Sequence, residues 1–428
     1  MNWLLRGGRV VDPAAGTDAV RDILVRDGKI ARVGENIPPE GASVLEMKGK
    51  VVAPGFIDMH VHLREPGRED EETMETGGAA AAAGGFTSIA VMPNTDPWND
   101  SQSVTEYIVS QARRRAVVNV FPIGCISKQG KGEELAEIGD MVKSGIVAVS
   151  DDGHPVSSGH LMRMVLEYTK IFGITVIDHC EERTLSEGGV MHEGYYSTVL
   201  GLKGIPAASE EILVARDLVL SEATGGRLHI AHVSTRGSLD LVRRARQRGV
   251  RVTAEVTPHH FALTDSAVAE SGYDTNTKMN PPLRPEEDRK ALLEGLADGT
   301  LDAIASDHAP HNAIEKDTEF DHAPFGIVGL ETSVPLALDR LYHGGVVDLA
   351  RLVALYTTGP AGILNLDRGT LAPGKAADIT VLDLEREVTV DLSTQRTKSR
   401  NAPYQGWRLK GAPILTLVGG RIVFDDRS

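Results

Sequence analysis

Apolar and polar positions alternate in short runs at both ends of the chain and follow a longer rhythm between them. LLRGGRVV and RDILVRDGKIARVG are rich in β-branched and apolar residues, and Asp27-Gly28 marks a tight hairpin. The same texture returns in ADITVLDL and GAPILTLVGGRIVFD, where Gly419-Gly420 separates two apolar runs. Neither end carries enough apolar surface for a core of its own. Residues 1–53 and 365–428 are therefore expected to join into one small β-sandwich domain.

Between them, over residues 54–364, eight apolar runs alternate with helical stretches. The runs are GFIDMHVHL, FTSIAVM, VVNVFPI, GIVAVS, GITVIDH, RLHIAHV, VRVTAEV and LDAIAS. Gly84-Gly85, Gly145, Gly173 and Gly249 punctuate the joins, as helix stops do. This pattern predicts an α/β fold, a parallel (β/α)8 TIM-type barrel with the β-sandwich domain formed by both chain ends.

Composition narrows the function. With 41% apolar and 25% charged residues among 428, the chain reads as soluble and globular. Its formal net charge of −15 argues against nucleic acid and against an anionic membrane, both of which select basic patches. Cys125 and Cys180 are the only cysteines, so no disulfide framework is expected and a reducing cytoplasm fits. The first residues lack the pattern of a signal peptide, and no run approaches the roughly 18 apolar residues needed to span a bilayer.

Barrel enzymes place their chemistry at the C-terminal ends of the strands. There the chain carries His60-Val61-His62, Asp151-Asp152, Asp178-His179, His229 with His232, and Asp307-His308. An isolated H-x-H is more often incidental, and an isolated Asp at a strand end is commonly a cap. Convergence on five strand ends turns them into a candidate site for Zn²⁺ or a similar ion. By strand alternation His229 should face away from His232 and pack in the core. His259 and His260 read as structural, and Cys180 as a small core residue. Two ions need a bridging anion. GIVAVSDDG holds no lysine, so the carboxylate comes from Asp151 or Asp152. The polar segment His311–His322 follows the eighth strand, where barrel loops close over substrates, and is expected to form a lid.

DMHVHLREPG, VMPNT, SDDG, DHCE, AHVS, AEVTPHH, KMNPPLR, SDHAPH and APFGIVGLET together resemble the bacterial class I dihydroorotases of the amidohydrolase superfamily. The resemblance runs from about residue 48 to 380. It implies two divalent ions, most simply Zn²⁺, with His60 and His62 on the first and His179 and His232 on the second. Asp152 would bridge them, and Asp307 would contact the first ion and act as general base and acid. His62, Leu63 and Arg64 match the segment that meets substrate. Asn94, Asn280, His311, Phe325 and Gly326 match the remaining substrate positions.

The implied reaction is the reversible hydrolysis of (S)-dihydroorotate to N-carbamoyl-L-aspartate by a metal-bridged hydroxide, in de novo pyrimidine biosynthesis. A guanidinium at Arg64 suits the ring carboxylate, and Asn amides suit the ring amide. The rival cyclic amidases, hydantoinase, dihydropyrimidinase and allantoinase, usually bridge their metals with a modified lysine that is missing here. A non-catalytic dihydroorotase-like subunit of aspartate carbamoyltransferase would lose metal ligands, and the full set is present. A homodimer and a complex with aspartate carbamoyltransferase stay open.

Overall fold

The computed structural model describes residues 2–427. Its first five strands are β1 (Trp3–Asp12), β2 (Thr17–Arg26), β3 (Lys29–Gly34), β4 (Ser43–Glu46) and β5 (Val51–Pro54). Asp27 and Gly28, both at positive φ (49° and 77°), make the predicted hairpin between β2 and β3.

The chain then passes through Gly55 into β6 (Phe56–Val61), the first barrel strand. A Cβ on Gly55 would lie 2.1 Å from Thr87 Oγ1, so only glycine fits this close crossing. The barrel continues with β7 (Phe86–Val91), β8 (Asn119–Pro122), β9 (Ala148–Val149) and β10 (Thr175–Asp178). A short ribbon of β11 (Met191–His192) and β12 (Gly204–Ile205) interrupts it. β13 (Leu228–Ile230), β14 (Val252–Val256) and β15 (Ala303–Ile304) complete it.

All eight predicted barrel strands form, although β9 and β15 keep only two paired residues each. Hydrogen bonding makes two parallel arcs, β6-β7-β8 and β15-β14-β13-β10-β9. Bridges at Gly124–Val149 and Val61–His308 join the arcs and close the barrel. Met59, Ala90, Ala148, Ile177 and Ala303, from strands around the whole barrel, meet in one apolar cluster, which fills its interior. Outside, Phe56 stacks on Tyr356 at 5.2 Å between ring centres.

Three further strands follow, β16 (Ile379–Thr389), β17 (Arg408–Val418) and β18 (Arg421–Asp425). They extend the first sheet in the order β18-β17-β16-β5-β1-β2-β3, with β4 on the side of β1. The two chain ends thus share one continuous sheet. Ile23, Val25 and Ile30 from one half pack with Ile379, Ile414 and Leu417 from the other. The halves are also tied where Ile30 N–H donates to Lys375 O and Trp3 Nε1–H to Gly420 O, each at 2.9 Å. Among the described residues no helix is long and apolar enough to cross a membrane.

Candidate active site

Six side chains converge above the barrel's apolar plug. His62 Nε2 lies 3.1 Å from Asp307 Oδ1 and 3.4 Å from Asp152 Oδ2. His60 Nε2 is 3.3 Å from Asp152 Oδ1 and 3.4 Å from Asp307 Oδ1. On the other side, His179 Nδ1 and His232 Nε2 are 2.9 Å apart, at 3.8 and 3.6 Å from Asp152 Oδ1. Asp152 therefore stands between two pairs of histidines. Asp151 points elsewhere, accepting hydrogen bonds from Ile126 N–H, Ser127 N–H and the Ser127 hydroxyl.

Regular strand geometry does not produce this cluster. His232 and Asp307 sit at φ 32° and 45°, and Arg64 at φ 59°. Few non-glycine residues adopt such a backbone, and it costs about 1–3 kcal/mol where it is held. The left-handed turn at His232 aims its ring inward, so alternation misjudges the pair: His229 also faces the barrel interior, beneath the cluster. There His229 Nδ1 meets Thr253 Oγ1 at 2.8 Å and its Nε2 lies 3.3 Å from Glu255 Oε2.

Electrostatics and burial both fit a cation. Burial pushes the Asp152 and Asp307 carboxyls up, but nearby histidines, His60 foremost, outweigh it and hold both below the usual carboxylate range. His60 Nε2 and Asp152 Oδ1 are buried and without a hydrogen-bond partner among the described residues. An unpaired buried polar group costs about 1–3 kcal/mol, which a shared cation would relieve. His60, His62 and Asp307 can offer one set of ligand atoms, and His60, Asp152 and His232 another. This mixture of imidazole and carboxylate suits a divalent ion.

Three of the four histidines are oriented by partners that spacing alone did not reveal. Glu255 Oε1 is 2.8 Å from His60 Nδ1, Asn94 Oδ1 is 2.8 Å from His62 Nδ1, and Glu181 Oε2 is 3.1 Å from His179 Nε2. Each holds one ring nitrogen so that the other faces the cluster. Burial disfavours a charged Glu181, but His179 prevails and draws its carboxyl down to about 2.

The cluster forms one wall of a cavity of about 260 Å³. Arg64, Asn94, Asn280, His311, Phe325 and Gly326 line the rest, with His62 shared between the walls. This volume falls below the usual 300–1,000 Å³ of ligand pockets and suits a small ring. Leu63 does not reach the cavity. Its side chain is buried in the core against Gly77, where an added Cβ would lie 2.3 Å from Leu63 Cδ2. Gly326, at φ 135°, leaves room that a Cβ would take from Ala309 Cβ, 2.7 Å away.

Residues after the eighth strand are tied down rather than loose. Lys316 Nζ donates to Thr275 O and Pro324 O, and Lys278 Nζ to Phe320 O and Asp321 O. A loop between β16 and β17 also reaches the rim. Asn401 accepts from His311 N–H through Oδ1 and donates to Ala309 O and Gly326 O.

Solved structures share this fold. The structure superposes on L-hydantoinase (dihydropyrimidinase) from Arthrobacter aurescens with a TM-score of 0.89 and 27% identity, covering 100% of this chain and 96% of the other. For D-hydantoinase (dihydropyrimidinase) from Thermus sp. the values are 0.83 and 27%, over 99% and 95%. The family described as "Amidohydrolase family" matches residues 207–424. Fold and site together define a cyclic amide hydrolase of the amidohydrolase superfamily.

The pattern described as "Dihydro-orotase-like" matches residues 49–238. A dihydroorotase of Pelotomaculum thermopropionicum is 56% identical over 100% of this chain and 99% of its own length. One of Geobacter metallireducens is 55% identical over 99% and 100%. The chain belongs to the dihydroorotase family.

Proposed function

We propose that the chain opens the ring of (S)-dihydroorotate to N-carbamoyl-L-aspartate, and closes it in reverse, as a step of pyrimidine synthesis. The observation that carries this reading is Arg64. Its Nε is 3.2 Å from both Pro310 O and Glu71 Oε2, while neither Nη has a hydrogen bond among the described residues. A guanidinium edge is thus left free on the wall of the small cavity, as a ring carboxylate requires.

His60, His62 and Asp307 would hold one divalent ion, His179 and His232 a second, and Asp152 would bridge them; zinc is the ion this donor set suits best. When bound, the ions would polarise the ring carbonyl and lower the pKa of water toward about 7. Asp307 would take a proton from the attacking water and pass it to the departing ring nitrogen. Asn94 spends its oxygen on His62 and keeps its N–H groups for substrate. Asn280 spends its Nδ2 on Glu181 and keeps its oxygen. One asparagine can therefore donate to a ring carbonyl while the other accepts from a ring N–H.

A cytoplasmic location belongs to the same reading, supported by two buried, unpaired cysteines. A homodimer is supported by Met164, Tyr168, Ile171, Ile212 and Val219, apolar and exposed on neighbouring helices. Association with aspartate carbamoyltransferase is a matter for co-purification. The deciding experiment assays dihydroorotate, hydantoin and allantoin side by side. Turnover of dihydroorotate at least about tenfold above the others, a difference of 1.4 kcal/mol, is expected. Preference for either uncarboxylated ring would refute the assignment.

A further inference from the structure

Glu71 is almost fully buried, at 1% exposure, yet lies outside the ligand cluster. Its two oxygens gather three nitrogens. Oε2 is 3.2 Å from Arg64 Nε, and Oε1 is 3.0 Å from both His311 Nδ1 and Arg68 Nη2. Arg64 comes from the loop after the first barrel strand and His311 from the loop after the eighth. Among the described residues, Glu71 thus ties the two together. Its own backbone carbonyl accepts from the Ser399 hydroxyl at 2.8 Å, which fixes it from behind.

We infer that Glu71 is a positioning residue that sets selectivity for carboxylate-bearing rings by holding Arg64 and His311 in register on the cavity wall. This deepens the proposed function and rests on it.

Asp307 and Asp152 attract the Arg64 guanidinium from across the cavity. Glu71 pairs with the guanidinium at Nε, whose N–H donates to Pro310 O, both at 3.2 Å. With Nε held by Pro310 O and Glu71, the two Nη groups have no hydrogen bond among the described residues and are left as a fork for an incoming carboxylate. On His311, Nδ1 lies 3.0 Å from Glu71 Oε1 and Nε2 2.9 Å from Phe325 O; burial and the Arg64 charge keep the imidazole neutral, so its single N–H donates to one of the two. A substrate without a carboxylate gains nothing from this preorganisation, because it never uses the fork.

The test is Glu71→Gln in the metal-loaded full chain, with dihydroorotate and 5,6-dihydrouracil (the same ring without its carboxylate) as substrates. The expected result is a KM for dihydroorotate raised at least about tenfold, with kcat within about threefold, unchanged metal content, and dihydrouracil turnover unaffected. Should this variant fail to fold, Glu71→Asp keeps the charge at a shorter reach and should show the same split to a smaller degree. An unchanged KM, a loss confined to kcat, or equal losses on both substrates overturns the inference. Wild-type protein that fails to turn over dihydroorotate would instead overturn the proposed function, so the two failures are distinct.

Discussion

The wall of the cavity that carries Asp152 and the wall that carries Arg64 are assembled in opposite ways. On the first, buried atoms such as His60 Nε2 and Asp152 Oδ1 are left without partners and face one another. On the second, Arg64, Asn94 and Asn280 each have part of their hydrogen-bonding capacity taken by protein, and what remains is left for substrate. The first wall offers its unpaired atoms to a cation. The second is complete, and its specificity lies in which donors and acceptors it leaves over. Metal binding and substrate choice should therefore fail separately.

The largest effect should come from Asp152→Ala. It removes the carboxylate that stands between both histidine pairs, so metal content and activity should be lost together. The neighbouring Asp151→Ala should keep both and lower stability instead, because it strands the buried Ile126 and Ser127 N–H groups at about 1–3 kcal/mol each. Metal analysis beside a melting curve checks this, and the opposite pattern would break the contrast at its root.

Asp307→Asn comes next, with a loss of about 10²–10⁴ in both directions. Burial pushes the Asp307 carboxyl up, but His60 and His62 outweigh it and hold it below the ordinary carboxylate range, so it loses its charge only as pH falls. Hydrolysis needs it ionised and should weaken toward acid. Cyclisation needs it protonated and should strengthen there, since both share one transition state. Rates measured in both directions across pH show whether the two profiles diverge. Parallel profiles would move the proton to another group.

Arg64→Met probes the second wall. It should cost about 2–5 kcal/mol in kcat/KM for dihydroorotate, the range for removing one partner of a buried charged pair. Metal content should stay at the wild-type level. Loss of metal in this variant would mean that the walls are not independent.

What the sequence discloses follows the same division. H-x-H, D-D-G and the strand-eight aspartate are local, and the predicted barrel brought them to one rim, so they could be read from spacing. Glu255, Glu181, Glu71 and Asn401 act on residues far away in the chain or from loops, and no local pattern marks them. Alternation also fails where the backbone leaves the strand. At His232 a positive φ turns the ring inward, so it and His229 face the same side despite their odd spacing, with His229 packed in the core as expected. Leu63, carried into the substrate set by its neighbours His62 and Arg64, points into the core.

The sheet shared by both chain ends has a consequence in time. β5 pairs with β16, which emerges from the ribosome more than 300 residues later. At about 5–20 residues per second, roughly 15 seconds to a minute pass before that partner exists. Throughout, the nascent chain carries an unsatisfied strand edge of Val51–Pro54, an invitation to pair with another copy. Synthesis cut short within the barrel would leave that edge open for good.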